Sequence, residues 1–274
     1  MKAREARVLL TGATGGIGQA MAQALVRSGA AVLLSGRSEE SLAALAGRLS
    51  PGAQAQPVQR LSWHAADLSQ PDGPLPLAHA AAAWGCNVVI HAAGVPAFGP
   101  LRGIGGAAMH AVLQTNLLAP MLLTQALLPH LLAQPRAQVV CVGSALGRIG
   151  LPGYSVYSAS KFGLRGFAEA LRRELAGTAV RVQYLGPRST VTAFNDERTQ
   201  AYNDATGTAM DTPSLVAQHL LRLLESERAE RFIGFPEKLA VRLNGLAPEW
   251  LDGSFKTHRD SLGPMAEGRA SPSV

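Results

Sequence analysis

The chain has 274 residues, of which 47% are hydrophobic and 16% are charged, so it is long enough to bury a large core. This balance excludes a chain that is mainly disordered. The formal net charge of +6 is spread without a basic tail or stripe, so we expect no nucleic-acid partner.

The longest apolar runs, 80–84 and 117–128, are shorter than the roughly 20 residues of a membrane span, so we expect none. The N-terminus shows no secretory signal, and we expect a cytoplasmic protein. Cys86 and Cys141 lie in apolar contexts without a metal-binding spacing, which indicates buried free thiols and no metal site. Residues 238–256 mix apolar with basic side chains, and a helix packed on the core or on another subunit is favoured over a membrane-surface helix.

Short apolar runs alternate with longer segments of helical period, which is typical of repeated strand–helix units in a parallel sheet. The predicted strands are 7–10, 31–35, 59–63, 87–91, 138–143, 180–185 and 231–234. The predicted helices are 16–27, 39–49, 75–84, 109–132, 154–176 and 213–226, the last capped by Asp211 or Thr212. We therefore expect the α/β class, with one doubly wound Rossmann-type domain over 1–255 and a seven-stranded parallel sheet with helices on both faces.

Two segments do not fit these repeats. Residues 187–212 show no clear period and are too long for a routine connection, which predicts a lid over the substrate. Residues 256–274 are polar, and we expect a C-terminal tail with little order.

The first predicted strand leads directly into a glycine-rich turn, Thr11-Gly-Ala-Thr-Gly-Gly-Ile-Gly18, which opens the first helix. Small residues let the backbone approach a pyrophosphate, and the amides at a helix N-terminus attract its negative charge. The residues expected to contact a dinucleotide here are Gly12, Thr14, Gly16, Ile17 and Gly18.

The second predicted strand ends at Gly36 and Arg37, where a nucleotide-binding fold meets the adenosine ribose. Gly36 leaves space, and the planar cation of Arg37 suits a 2′-phosphate, whereas a carboxylate that would pair with the ribose hydroxyls of NAD is missing. The pattern predicts NADP(H). The alternative is a solvated Arg37 beside Ser38 as a helix cap.

The third and fourth predicted strands end at two further candidate cofactor contacts, because ligands of open α/β sheets bind at strand C-termini. These candidates are Asp67, Leu68, Ala93 and Gly94. Asp67 could equally be a helix N-cap and His91 a core histidine, and His91 has no second ligand at a metal-binding spacing.

Four polar positions recur in apolar surroundings downstream. Tyr157 and Lys161 are four residues apart, so on a helix they share one face. Ser144 follows the fifth strand, 13 residues before Tyr157, and Asn116 lies in the long predicted helix. Together with the glycine turn they form a candidate catalytic constellation.

With these motifs the chain resembles a classical member of the short-chain dehydrogenase/reductase superfamily, over residues 7 to about 235. The resemblance implies that Asn116, Ser144, Tyr157 and Lys161 are the catalytic tetrad. It also aligns Pro187 and Thr192 with a Pro-Gly-x-x-x-Thr segment over the nicotinamide.

Three positions depart from the family pattern. His91 and Ala92 replace two asparagines, and Gly15 stands where many NADP-using relatives have a second basic residue. Arg188 occupies the glycine position after Pro187, so the resemblance does not extend to the backbone shape between Pro187 and Thr192.

The resemblance implies hydride transfer between the nicotinamide and a ketone or secondary alcohol. Tyr157 would be the general acid/base, with its pKa lowered by the Lys161 ammonium, and Lys161 would also reach the ribose hydroxyls of the nicotinamide. Ser144 would donate to the carbonyl oxygen, and Asn116 would orient a water linked to Lys161.

The expected substrate is a medium-sized, partly apolar ketone or alcohol with Arg188 as the nearest cation. The residues expected around it are Pro96, Phe98, Leu146, Tyr154, Phe194 and Met210. The alternatives are a 3-oxoacyl carrier-protein reductase and a non-catalytic NADP-binding regulatory protein. By resemblance alone we expect a homodimer or homotetramer, formed through the helices that contain Asn116 and Tyr157.

Overall fold

A computed structural model of the chain describes residues 1–50, 60–234 and 237–262, and seven strands within these ranges form one parallel sheet. The strands are β1 (Arg7–Leu10), β2 (Ala31–Gly36), β3 (Leu61–Ala65), β4 (Val88–His91), β5 (Ala137–Val142), β6 (Val180–Gly186) and β7 (Glu230–Phe232). Their order is β3-β2-β1-β4-β5-β6-β7. The order reverses direction between β1 and β4, which confirms the doubly wound α/β fold.

Helices cover both faces of the sheet. They are α1 (Gly16–Arg27), α2 (Glu39–Leu49), α3 (Pro74–Trp84), α4 (Gly106–Leu113), α5 (Ala119–Leu132), α6 (Ser155–Glu174), α7 (Glu197–Ala205), α8 (Pro213–Ser226), α9 (Glu237–Leu246) and α10 (Lys256–Asp260). Val8 and Leu10 face the layer of α1, α2 and α8, while Leu9 faces the layer of α3, α5 and α6. Burial on both faces explains why the strands are apolar without alternation.

The ends of the elements follow local chemistry. Thr212, one of the two predicted caps, accepts a hydrogen bond from the Leu215 amide at 3.3 Å, and Pro213 occupies the first turn of α8. The predicted strand 59–63 lies at Leu61–Ala65, and residue 59 is outside the described residues.

The predicted helix 109–132 differs from the structure in its interior. It begins at Gly106 and is interrupted by a π-helical turn at Gln114–Leu118, which contains Asn116. A π turn adds one residue to a helix without changing its apolar character, so periodicity does not reveal it. Such turns are frequent at functional sites.

The combined helical stretch Gly106–Leu132 is the one candidate membrane span found among the described residues, by length and composition. The sequence does not suggest a membrane span here, because polar residues divide the helix into apolar runs that are each too short to cross a membrane. Leu123, Leu127 and Leu131 are buried in the core, and 44% of the most apolar window is buried. The expected absence of a membrane span therefore stays a prediction.

Residues 187–212 contain helix α7, which the sequence does not predict. Asp196 caps it by accepting from the Thr199 amide at 2.8 Å. Eight of its nine residues are polar or Ala, so no apolar face marks it in the sequence. Helix α10 lies at the start of the predicted tail 256–274, and residues 263–274 are outside the described residues.

Candidate active site

A cavity of about 960 Å³ lies along the carboxyl-terminal edge of the sheet. It extends from the glycine turn and Arg37 to helix α7 and to Phe255 and His258 near the chain's C-terminal end. At this edge, the point between β1 and β4 where the strand order reverses is the usual ligand site of a doubly wound sheet.

The glycine turn packs closely against neighbouring backbone. Gly12 has φ +65°, and a Cβ there would lie 2.6 Å from Ala93 Cα. A Cβ on Gly18 would overlap the Gly12 carbonyl oxygen, and one on Gly16 would lie 2.6 Å from Thr192 Cγ2. The structure thus packs the predicted glycines at the start of α1 with no room for a Cβ, two of them against Ala93 and Thr192, and the backbone of this turn lines the cavity.

Arg37 and Asp67 lie side by side at the end of the cavity that is expected to hold adenosine. Arg37 is exposed and lines the cavity. Asp67 accepts hydrogen bonds from the amide and hydroxyl of Ser69, at 3.0 and 2.7 Å. These bonds, and to a smaller extent the charge of Arg37, lower the pKa of Asp67. Asp67 is therefore an ionised turn residue that also faces the cavity, as does Leu68.

Three members of the predicted tetrad meet where β5 ends and α6 begins. Ser144 caps a 3₁₀ turn, Ala145–Gly147, and its Oγ accepts from the Leu146 amide at 3.1 Å. The Ser144 side chain is close enough to the Tyr157 hydroxyl to lower the pKa of Tyr157. Lys161 follows one turn later on α6, with Nζ 5.6 Å from the centre of the Tyr157 ring. All three line the cavity.

The ionisation of Tyr157 and Lys161 is controlled by burial. Loss of hydration raises the pKa of Tyr157, and the hydrogen bond from Ser144 partly offsets this rise. Burial lowers the pKa of Lys161 to about 8, and its Nζ donates to the Val142 carbonyl at 3.3 Å. In the protein alone, burial therefore outweighs the expected lowering of the Tyr157 pKa by Lys161.

Asn116 is fully buried and supports the loop after β4. Its Oδ1 accepts from the Val95 amide at 2.8 Å, and its Nδ2 donates to the Val95 carbonyl at 3.0 Å and to Ser160 Oγ at 3.2 Å. A Cβ on Gly94 would lie 3.3 Å from Asn116 Oδ1 and 3.7 Å from Lys161 Nζ. Asn116 thus holds Gly94 and Val95 beside Lys161, and its role with a water stays a prediction.

The segment after β6 packs against this region. The Pro187 carbonyl accepts from the Ala145 amide at 2.8 Å, which ties it to the Ser144 turn. Arg188, at the family's glycine position, forms an ion pair with the buried carboxylate of Asp211 at 2.8 Å. The cation expected nearest the substrate is therefore matched by an anion from the far end of the same segment.

Aromatic rings line or support the substrate end of the cavity. Leu146, Tyr154 and Phe194 line it as expected, whereas Phe98 packs behind Tyr154 and Tyr202, with ring centres 4.9 and 4.8 Å away. Among the residues expected around the substrate, Leu146, Tyr154 and Phe194 therefore line the described cavity. Pro96, Phe98 and Met210 do not.

The sequence did not suggest that the C-terminal part of the chain reaches this cavity. Phe255 and His258 line it, and His258 Nδ1 lies 2.7 Å from Tyr202 Oη. The mixture of apolar and basic residues over 238–256 predicts a packed helix, but it does not indicate which part of the protein the helix packs on.

The remaining polar candidates lie in the core. His91 Nε2 lies 2.8 Å from Thr124 Oγ1, and burial lowers the pKa of His91 to about 4, so it is a neutral core histidine. Burial raises the pKa of both Cys86 and Cys141 to about 12, as for inert thiols. No group of three or more possible metal ligands occurs in the described ranges.

Comparisons with known proteins agree with this arrangement. The profile of the family described as short chain dehydrogenase matches residues 6–203. The chain is 31% identical over 261 residues to dehydrogenase/reductase SDR family member 7B of Bos taurus, covering 89% of this chain and 78% of that protein.

Two solved structures are similar over most of the fold. A metagenomic short-chain oxidoreductase in complex with NADP has a TM-score of 0.67 and 30% identity, covering 83% of this chain and 96% of that chain. A 3-oxoacyl (acyl-carrier-protein) reductase from Agrobacterium tumefaciens C58 with NADP bound has a TM-score of 0.74 and 25% identity, covering 82% and 92%. The chain belongs to the short-chain dehydrogenase/reductase family of oxidoreductases.

Proposed function

We propose that the protein is an NADP(H)-dependent oxidoreductase that interconverts a ketone and a secondary alcohol, with Tyr157 as the general acid/base. The observation that carries this proposal is the convergence of Ser144, Tyr157 and Lys161 on the same cavity as the glycine turn. A proton donor and a polarising hydroxyl on the same cavity as a dinucleotide-binding turn support this chemistry.

The residues present fit a dinucleotide. Gly12, Gly16 and Gly18 let the turn pack without side chains, so its backbone lines the cavity at the N-terminus of α1, where a pyrophosphate would bind. Thr192 and Gly94 line the same cavity, and Gly94 lies beside Lys161, where the nicotinamide end would lie. When bound, the cofactor supplies the hydride.

The chain's own residues handle the carbonyl oxygen and its proton. The Ser144 hydroxyl, held by the Leu146 amide, donates to that oxygen and keeps it next to Tyr157. The Tyr157 hydroxyl transfers its proton to the oxygen as negative charge develops there. The Lys161 ammonium, 5.6 Å from the Tyr157 ring, stabilises the phenolate that remains.

A preference for NADP(H) is supported by the exposed guanidinium of Arg37 at the cavity and by the small Gly36 beside it. A guanidinium pairs with a phosphate through charge-assisted, bidentate hydrogen bonds. The two similar structures described above hold NADP.

An apolar substrate of medium size is supported by the side chains of Leu146, Tyr154, Phe194 and Phe255 around the cavity. The pairing of Arg188 with Asp211 leaves this cation less suited to attract a free carboxylate. A 3-oxoacyl carrier-protein reductase is the second candidate, favoured by the likeness to the Agrobacterium reductase.

A substrate panel separates these functions. Purified protein is mixed with NADPH and with an aryl alkyl ketone, an aliphatic ketone or an acetoacetyl thioester, and absorbance at the NADPH band is followed. We expect the highest kcat/KM with the neutral ketones. Preference for the thioester would favour the second candidate, and NADPH binding without turnover of any carbonyl would indicate a non-catalytic NADP-binding protein.

We also expect residues 187–212 to close over bound cofactor. The Arg188–Asp211 ion pair joins the two ends of this segment, and exposed Phe194 lies 6.0 Å from the Tyr157 ring. Hydrogen exchange should slow in peptides from 187–212 when NADPH is added, while peptides from α3 remain unchanged as an internal control. Equal exchange with and without NADPH would contradict a lid.

A homodimer or homotetramer is part of the proposal. Leu118, Met121 and Phe162 are exposed apolar side chains on the π turn, α5 and α6, the helical elements through which relatives are expected to associate. Phe162→Glu should shift the mass measured by light scattering to that of a monomer, because burying the carboxylate is costly. Leu75→Glu, at an exposed position on α3, is the control that should keep the wild-type mass. A monomeric wild-type protein would contradict the proposal.

A further inference from the structure

A second buried tyrosine lies directly behind the candidate catalytic serine. Tyr184 belongs to β6 and is 2% exposed. Its hydroxyl accepts a hydrogen bond from the Ser144 amide at 3.0 Å and donates one to the Ser144 carbonyl at 2.9 Å. One side-chain hydroxyl therefore bonds to both backbone groups of Ser144, and the Ser144 carbonyl also accepts from the Gly147 amide at 3.0 Å.

These bonds form where the chain leaves the sheet. The Gly143 amide still donates to the Leu185 carbonyl at 2.8 Å, and the Ala145 amide donates to the Pro187 carbonyl at 2.8 Å. Between them, the backbone of Ser144 bonds to the Tyr184 side chain instead of a neighbouring strand. Because a buried peptide N–H needs a partner, the conformation at Ser144 depends on this hydroxyl through the bond from the Ser144 amide.

Two glycines leave room for the ring of Tyr184. A Cβ on Gly143 would overlap Cζ and Oη of Tyr184, and a Cβ on Gly147 would overlap Oη. Neither glycine has a positive φ, so the backbone conformation does not require glycine at these positions. The Tyr184 ring requires glycine at both positions, because a Cβ at either one would overlap it.

The position of the Ser144 hydroxyl follows from this packing. Its Oγ accepts from the Leu146 amide within the same turn, so a shift of the turn would move it away from the carbonyl oxygen. We propose that Tyr184 is a positioning residue that holds Ser144 Oγ where it can donate to the substrate. The inference rests on the proposed function of Ser144.

Tyr184→Phe tests this, because it keeps the ring and removes only the hydroxyl. We expect kcat to fall about 10- to 100-fold, the cost of a small misplacement of a reacting group. The Kd for NADPH should stay at the wild-type value, since Tyr184 does not line the main cavity.

A double-mutant cycle with Ser144→Ala separates positioning from general damage. If Tyr184 acts through Ser144 Oγ, Tyr184→Phe should lower kcat strongly in the wild type and very little in the Ser144→Ala background. An equal fold-loss in both backgrounds, or wild-type kcat in Tyr184→Phe, would overturn the inference.

Gln183→Leu is the matched control. Gln183 is the preceding residue on β6, is also buried, and donates to the carbonyls of Leu223 and Arg228 at 2.8 and 2.9 Å, away from Ser144. We expect it to lower the melting temperature while kcat stays at the wild-type value. A fall in kcat equal to that of Tyr184→Phe would mean that general loss of stability explains both effects.

If Tyr184→Phe does not fold, Gly147→Ala replaces it in the cycle, because its methyl group would displace the Tyr184 hydroxyl. The same non-additivity with Ser144→Ala is expected. Wild-type turnover in Ser144→Ala would overturn the proposed function itself. Loss of turnover in Ser144→Ala together with additive effects of the second variant would overturn only the role of Tyr184.

Discussion

Tyr157→Phe is expected to reduce carbonyl reduction below detection while NADPH binding stays close to that of the wild type. The substitution removes the hydroxyl near Ser144 and leaves the ring, whose centre lies 6.2 Å from that of Tyr154 and 6.0 Å from that of Phe194. Loss of a positioned general acid costs about 10²–10⁴-fold in rate, and more when the developing alkoxide has no other proton donor. Steady-state kcat with the best ketone of the panel measures the effect.

Fluorescence titration with NADPH and thermal unfolding serve as controls for Tyr157→Phe. Both should match the wild type, because Lys161 and the glycine turn are unchanged. If the variant retains more than half of the wild-type turnover, Tyr157 is not the proton donor.

Gly36→Asp combined with Arg37→Ser is expected to reverse the cofactor preference from NADP(H) to NAD(H). Removing a charge-assisted Arg–phosphate interaction costs about 1.5–3 kcal/mol, which is about 10- to 150-fold in affinity. The new carboxylate repels a 2′-phosphate and accepts from a free 2′-hydroxyl. A Cβ at position 36 would lie 3.2 Å from Thr14 Oγ1, so Thr14 must adjust by a few tenths of an ångström.

The ratio of kcat/KM values for NADPH and NADH measures this preference. Arg48→Ala is the matched control, because Arg48 is an exposed arginine on α2 that does not line the cavity, and its ratio should equal that of the wild type. A wild-type protein that turns over NADH as efficiently as NADPH would show that Arg37 points to solvent.

Much of the fold could be predicted because parallel strands buried on both faces are continuous apolar runs. Val8, Leu9 and Leu10, for example, face both layers of helices, and Thr212 and Pro213 mark the start of α8. The π turn around Asn116 could not be predicted, since an inserted residue leaves a helix equally apolar. Helix α7 was missed because it is mostly polar and is held by its Asp196 cap.

The candidate site was predictable where residue type and spacing express local chemistry, as in the glycine turn and in Tyr157 and Lys161 on one helix. Contacts between distant segments were not. The pairing of Arg188 with Asp211 spans 23 residues, and Tyr184 reaches Ser144 across 40 residues. Nothing in the sequence around Tyr184 indicates that its ring fits between Gly143 and Gly147, because that fit depends on the register of β5 and β6.

Transfer of an isotopic label tests the central claim most directly. NADPH carrying deuterium at the hydride-donating position of the nicotinamide is incubated with the protein and the preferred ketone, and the alcohol is analysed by mass spectrometry. We expect the alcohol to carry one deuterium on its carbinol carbon, and neither label transfer nor alcohol to be detected with Tyr157→Phe. Oxidation of NADPH that yields no labelled alcohol with any carbonyl of the panel would contradict the proposed hydride transfer.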